Sequence, residues 1–131
     1  MNWQILDPKR VHSDERRTGF YDVFPDTVRE VNVTQVNPMQ SAGDWHRHQH
    51  QTDYWVVMGG YLRVGLLTDE QLTNCQDPTI LKLQPGDILE IPRGIWHTYF
   101  ETDCSPVLIY GFTNRYDGTD EERMPYRDTD Y

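Results

Sequence analysis

The sequence predicts an all-β single domain, a barrel or sandwich of short strands around a polar site. Three observations predict it. From Val31 onward apolar and polar residues alternate with a period of two, the signature of half-buried strands. Short strand-like runs recur at regular spacing between Gly- and Pro-containing turns. No segment carries a sustained helical period. The length of 131 residues fits one domain with its own core.

Residues 1–30 are polar and broken by Pro8, Gly19 and Pro25, and read as an arm with one or two short strands. The barrel is expected over residues 31–116, with strands over 31–37, 45–50, 54–58, 61–67, 80–83, 88–91, 95–100 and 107–113. Gly59-Gly60 joins the third and fourth of these as a hairpin. Residues 117–131 form a charged, mainly acidic tail, with a helical turn expected around residues 120–123.

Composition excludes several classes of function. The formal net charge of −9 repels a nucleic-acid backbone, so no nucleic-acid partner is expected. No apolar run is long enough for a membrane helix, and the start of the chain lacks the apolar stretch of a signal peptide. Cys75 and Cys104 form neither a CxxC pair nor a dense framework, and read as reduced thiols of a cytoplasmic protein. A polar arm with strand patches is poorly buried alone, and barrel edges favour pairing, so a homodimer is expected.

Two segments carry chemistry. The first is Gly43-Asp44-Trp45-His46-Arg47-His48-Gln49-His50-Gln51-Thr52-Asp53, followed by Gly60. Residues two apart on a strand share a face, so His46, His48 and His50 start on one side, with His50 leaving the row as the strand ends. Such a row lines a wet cavity, binds an ion or faces solvent. The second segment, Gly86-Asp87-Ile88-Leu89-Glu90-Ile91-Pro92-Arg93-Gly94-Ile95-Trp96-His97, is a turn, a strand, a second turn and a histidine on the next strand. His97 shares its face with Ile95 and Tyr99. Tyr54, Trp55, Trp96 and Tyr99 supply core packing or stacking surface.

In this order the segments resemble the two motifs of the cupin superfamily, which implies a jelly-roll β-barrel. The second motif matches from Gly86 through His97, with Glu101 where the superfamily ends on Asn. The first matches from His46 to Gly60, with Asp53 in place of Glu and Gly43 closer to His46 than usual. More closely, the chain resembles a short member of the dTDP-4-dehydrorhamnose 3,5-epimerase family. Asp14-Glu15-Arg16-Arg17-Thr18-Gly19-Phe20 is similar to its D-x-R-G-F segment, and Gln35-Val36-Asn37 to its Q-x-N strand. Trp45-His46-Arg47-His48 falls on L-H-Y-Q, and Gln51-Thr52-Asp53 on Q-A-K. Tyr116 falls on the late tyrosine, and Glu122-Arg123-Met124-Pro125-Tyr126-Arg127-Asp128 on the E-R-x-I-x-W-x-D ending.

The resemblance implies a cofactor-free isomerase of a 4-keto-6-deoxy nucleotide sugar. His46 is then the base, Tyr116 the acid on the other face and His97 a supporting group. Arg16, Arg17, Gln51 and Arg115 are the implied substrate contacts, the first two on the diphosphate and across a dimer interface. The chain departs from the family at Asp53, where a lysine stabilises the enolate. It also lacks the later region whose aspartate pairs with the base histidine; Asp103 is the nearest substitute in sequence. Asp53 opens an alternative, a divalent metal (Fe, Mn, Ni, Zn or Cu) on His46, His48, Asp53 and His97, serving an oxygenase or isomerase. A third expectation is a non-catalytic cupin that binds a small ligand.

Overall fold

The alternating runs form strands and the Gly/Pro segments turn between them in the computed structural model, which describes residues 2–38, 44–100 and 103–124. Gly43, Glu101 and residues 125–128, on which parts of the motif readings fall, lie outside the described residues. In chain order the strands are β1 (Gln4–Leu6), β2 (Arg10–Ser13), β3 (Thr18–Tyr21), β4 (Glu30–Gln35), β5 (Trp45–His48) and β6 (Asp53–Met58). They continue as β7 (Leu62–Leu67), β8 (Thr79–Leu83), β9 (Ile88–Ile91), β10 (Trp96–Tyr99), β11 (Val107–Phe112) and β12 (Glu121–Met124). One antiparallel sheet has the order β1-β9-β6-β11-β4 and a second the order β12-β5-β10-β7-β8, while β2 and β3 pair separately.

From β4 to β11 the chain changes sheet at every connection except that from β7 to β8. This is the cupin-type jelly roll. Each sheet is amphipathic, and crossing between sheets lets successive strands bury their apolar rows against each other. Trp55, Val57, Leu89, Ile91 and Leu108 of the first sheet meet Leu62, Val64, Leu66 and Leu83 of the second. Each such buried aliphatic contributes about 1.5–3 kcal/mol. A second cluster, Trp45, Leu67, Trp96 and Phe100, packs the other side of the second sheet. Gly65 is needed there, because a Cβ would lie 2.6 Å from the Trp45 ring and 2.7 Å from Phe100.

Four expectations are corrected. Gly59-Gly60 does not close a hairpin: β6 pairs with β9 and β11, β7 with β8 and β10. The turn carries the chain between facing sheets, with both glycines at positive φ and a Cβ on Gly60 only 2.9 Å from Cys104 Sγ. A helix, α1 (Asp69–Thr73), stands where none was expected. At five residues it is too short to show a period, but Thr68 and Gln71 form a capping box at its start. The helical turn comes earlier than residues 120–123: a 3-10 turn occupies Gly118–Asp120, and β12 follows and pairs with β5 from His48 to Trp45. The β5 edge offers unpaired backbone groups, which outweigh the local helical tendency. Finally, β5 ends at His48, two residues short of the strand expected over 45–50, while His50 has left the row as expected and is exposed.

The arm holds three strands. β1 pairs with β9, while β2 and β3 form a separate hairpin whose tip carries Arg16 and Arg17.

Candidate active site

Two short strands bring the histidines together. β5 and β10 are neighbours with His46 opposite His97, and the ring centroids are 4.5 Å apart. The turn of the second motif is tied to the first, since the Gly94 N–H donates to the His48 carbonyl at 2.8 Å. Gly94 takes a positive φ of 84°, which leads the chain from β9 into β10. His48 follows on the same face of β5, 5.6 Å from His97 by centroid. Around these rings one end of the barrel stays open as a cavity of about 540 Å³. His46, His48, Asp53, Trp55 and Tyr99 line its inner part, and Tyr116 its mouth.

The floor is a network of buried polar groups. Asp53 is 3 % exposed; its Oδ1 accepts from Gln51 Nε2 at 2.6 Å and its Oδ2 from Trp55 Nε1 at 3.2 Å. Burial pushes the Asp53 carboxyl above its ordinary pKa, while His48, Gln51 and Trp55 pull against that shift. Asn114 Nδ2 donates to Gln51 Oε1 at 3.3 Å, which fixes the amide so that its nitrogen faces Asp53. Gln51 therefore lies under the floor and orients Asp53.

The tautomers of two rings follow from their neighbours. His97 Nδ1 donates to the Ile95 carbonyl at 2.9 Å, so Nε2 is bare, and it faces Asp53 Oδ2 at 3.7 Å. Complete burial, with His46 beside it, holds this imidazole well below its ordinary pKa. His46 Nδ1 lies 3.3 Å from the Asp44 carbonyl and donates to it, which leaves Nε2 free. Burial lowers the His46 pKa as well, against the pull of the Glu121 carboxylate. A neutral imidazole with a fixed free nitrogen is the form a general base needs.

The structure gathers most of the expected residues. His48, Asp53 and His97 place one ligand atom each within 4.8 Å of one another, a group that does not include His46. Tyr116 is 62 % exposed, and its N–H donates to Glu30 at 3.1 Å. Asn32 and that N–H hold the Glu30 carboxyl below its ordinary pKa, with help from the charge of Arg115. Arg16 and Arg17, at the β2–β3 tip, Gln51 and Arg115 are not cavity-lining residues. Asp103 is away from the site, accepting from Tyr61 at 2.9 Å.

Other cavity residues were not anticipated: Glu30, Glu121 and Arg123, the last two an ion pair at 2.9 Å. Asp120 was also missed. It is 6 % exposed and takes the N–H groups of Gln49, His50 and Gln51 at 3.1, 3.0 and 3.1 Å. These contacts span about seventy residues of chain, and no local pattern announces them.

The sequence matches no protein-family model and no curated protein. The fold does match solved structures. One is a variant of the 3,4-ketoisomerase QdtA from Thermoanaerobacterium thermosaccharolyticum in complex with TDP-4-keto-6-deoxyglucose, at 17% identity and TM-score 0.78, covering 94% of this chain and 88% of that one. A 3,4-ketoisomerase from Helicobacter canadensis has 15% identity and TM-score 0.79, with coverage of 95% and 92%. The rmlC epimerase of Mycobacterium tuberculosis has 17% identity and TM-score 0.71, with coverage of 94% and 68%.

Proposed function

We propose that the chain is a nucleotide-sugar isomerase that moves a proton beside the ketone of a 4-keto-6-deoxy sugar. The observation that carries this reading is the tautomer-fixed, neutral His46, next to His48 on one wall of the cavity. The solved structures named above add to it, since ketoisomerases and an epimerase of this chemistry share the fold.

The reaction starts when His46 Nε2 takes the proton from C3. The electrons form a C3–C4 double bond and the C4 oxygen becomes an enolate, which takes up a proton. A proton delivered to C4, with loss of the C3 hydroxyl proton, leaves the ketone at C3. Return of a proton to the other face of C3 gives an epimer instead. The first outcome fits better, because His46 and His48 set two imidazoles on the same wall of the cavity, with ring centroids 6.1 Å apart, facing one side of the sugar. Tyr116, at the mouth, is the group for the other face. Burial raises the Asp53 pKa against the pull of His48, Gln51 and Trp55, which moves this carboxyl toward the form that can donate a hydrogen bond to the enolate.

We assign the diphosphate to Arg115, whose charge reaches the cavity residue Glu30, and, in a homodimer, to Arg16 and Arg17 of the hairpin tip. The homodimer is supported by Val31 and Val33 on the outer face of β4, 55 % and 68 % exposed. An apolar groove of about 210 Å³ lies between the hairpin and the outer face of the first sheet. Cys75 and Cys104 are not joined in a disulfide, which fits a reducing compartment, so we place the protein in the cytoplasm. Incubation with TDP-4-keto-6-deoxyglucose, followed by NMR of the product, tests the reading. A 3-keto isomer is expected; unchanged substrate contradicts it.

A second reading rests on one observation. His97 Nε2 is buried without a hydrogen-bond partner, and His48 Nε2 and His97 Nε2 lie 3.9 and 3.7 Å from the two Asp53 oxygens. Ligands on a tetrahedral zinc stand about 3.4 Å apart, given bonds of about 2.0–2.2 Å. The three residues therefore fit a divalent ion after small adjustments, with His46 outside the tight group. When bound, such an ion polarises a carbonyl oxygen or activates water. Asp53 and His97 hold their positions through Gln51, Trp55 and Ile95 in either case. Elemental analysis of tag-free protein should then return close to one metal per chain, and chelation should lower the melting temperature.

A further inference from the structure

His48 has a protonation partner that the reaction scheme does not use. Its ring is buried, and four groups face it from packed elements: Asp53 on β6, His97 on β10, Glu121 opposite it on β12, and Asp120 of the 3-10 turn. His46 precedes it on its own strand. The two ring nitrogens meet different surroundings. Nε2 lies 3.4 Å from Gln51 Nε2, an amide nitrogen whose orientation Asn114 fixes, so this ring nitrogen accepts. Nδ1 is buried without a hydrogen-bond partner and lies 4.0 Å from Asp120 Oδ2. That separation is longer than a hydrogen bond but within the range where a carboxylate governs which nitrogen holds the proton.

Asp120 is built to stay there. Three backbone N–H groups of the loop after β5 hold its two oxygens, and the Gln49 N–H also donates to its backbone carbonyl at 3.2 Å. Asp117 caps the turn by accepting from Thr119. The same loop carries Gln51, which reaches the other side of the ring.

We infer that Asp120 is a positioning residue that holds His48 as the Nδ1–H tautomer, so that the Nε2 lone pair is presented to the cavity floor. The C-terminal turn thereby completes the site from outside the barrel motifs. An Asp120→Asn change keeps the shape but can turn an amide N–H toward Nδ1, which moves the ring proton to Nε2 and breaks the contact there with the Gln51 amide. In a serine-protease triad the corresponding change leaves the geometry intact and lowers kcat about 10⁴-fold through the wrong tautomer.

The test is ¹⁵N–¹H NMR of the histidine side chains in the full chain, under conditions where His48 is neutral. The protonated nitrogen of His48 should be Nδ1 in wild type and Nε2 in Asp120→Asn. The kinetic arm rests on the isomerase reading: kcat should fall by on the order of 10² to 10⁴ with little change in KM. An Nε2–H wild-type ring, or an Asp120→Asn protein with the wild-type tautomer, overturns the inference. An Nε2–H wild-type ring overturns the inference even if Asp120→Asn does not fold. Asp120→Ala, which removes the carboxylate without adding a donor, should then show both tautomers, and a single Nδ1–H form contradicts the role of Asp120. The NMR comparison also decides if the protein turns over no keto sugar, a result that would count against the isomerase reading alone.

Discussion

The two ends of the barrel are built on the same strands and hold opposite kinds of side chain. On the inward row of β6, Asp53 stands at the open end, Trp55 in the middle and Val57 at the closed end. On β11 their partners are Phe112, Tyr110 and Leu108. Each row keeps a period of two, yet runs from polar or aromatic to aliphatic. The closed end buries its residues against Leu62 and Leu83 and supplies stability. The open end buries Asp53, His48, Gln51 and His97, groups that are costly unless paired. The comparison teaches a division of labour within single strands: one end stabilises the fold, and the other uses that stability to hold imidazoles and carboxylates where water would otherwise disperse them.

Substitutions should separate the ends. At the open end, His46→Ala should lower isomerase turnover by about 10²- to 10⁴-fold, measured by product NMR, with a melting temperature near wild type. Comparable turnover would mean that the histidine wall is not the reacting face. At the closed end, Leu62→Ala should cost about 2–5 kcal/mol by urea unfolding, with turnover per folded molecule retained. If both variants lose turnover and stability alike, the two ends are not separable.

A smaller effect concerns pH. His97 stays neutral in the folded protein below its ordinary pKa, because burial and His46 disfavour its charge. Below about pH 6.5 the unfolded chain then binds the extra proton and the folded one does not. Stability therefore rises with pH through that range and is lost on acidification. His46 acts with the same sign; Asp53, raised by burial, acts with the opposite sign above the ordinary carboxylate pKa. The urea midpoint should fall between pH 7.5 and 5.5 (about one unit either side of the ordinary imidazole value), and His97→Gln should flatten the slope. A pH-independent midpoint would contradict the assignment. Smallest of all, Lys9→Ala should leave midpoint and turnover unchanged, since its 3.3 Å pair with Asp22 is exposed on both sides.

Local chemistry explains how much of this was legible in sequence. The strands from Val31 onward could be read because alternation and Gly/Pro turns act within a few residues. His46, His48, Asp53 and His97 could be read because two on one strand and two beside Gly-marked turns keep their spacing. Sheet membership was not legible: Gly59-Gly60 serves a hairpin or a crossing equally well, and only packing across the core decides. The C-terminal contribution was hidden for the same reason. Asp120 and β12 gain their meaning from β5, which lies far away in sequence. The helix α1 is the opposite case, since its Thr68–Gln71 cap was present in the sequence and went unread.

The central claim is that the open end moves a carbon-bound proton. Solvent exchange in deuterium oxide tests it most directly, with TDP-4-keto-6-deoxyglucose as substrate and an enzyme-free control. The account predicts deuterium at the carbon beside the ketone, appearing at a rate proportional to protein concentration. No incorporation above the control would contradict it.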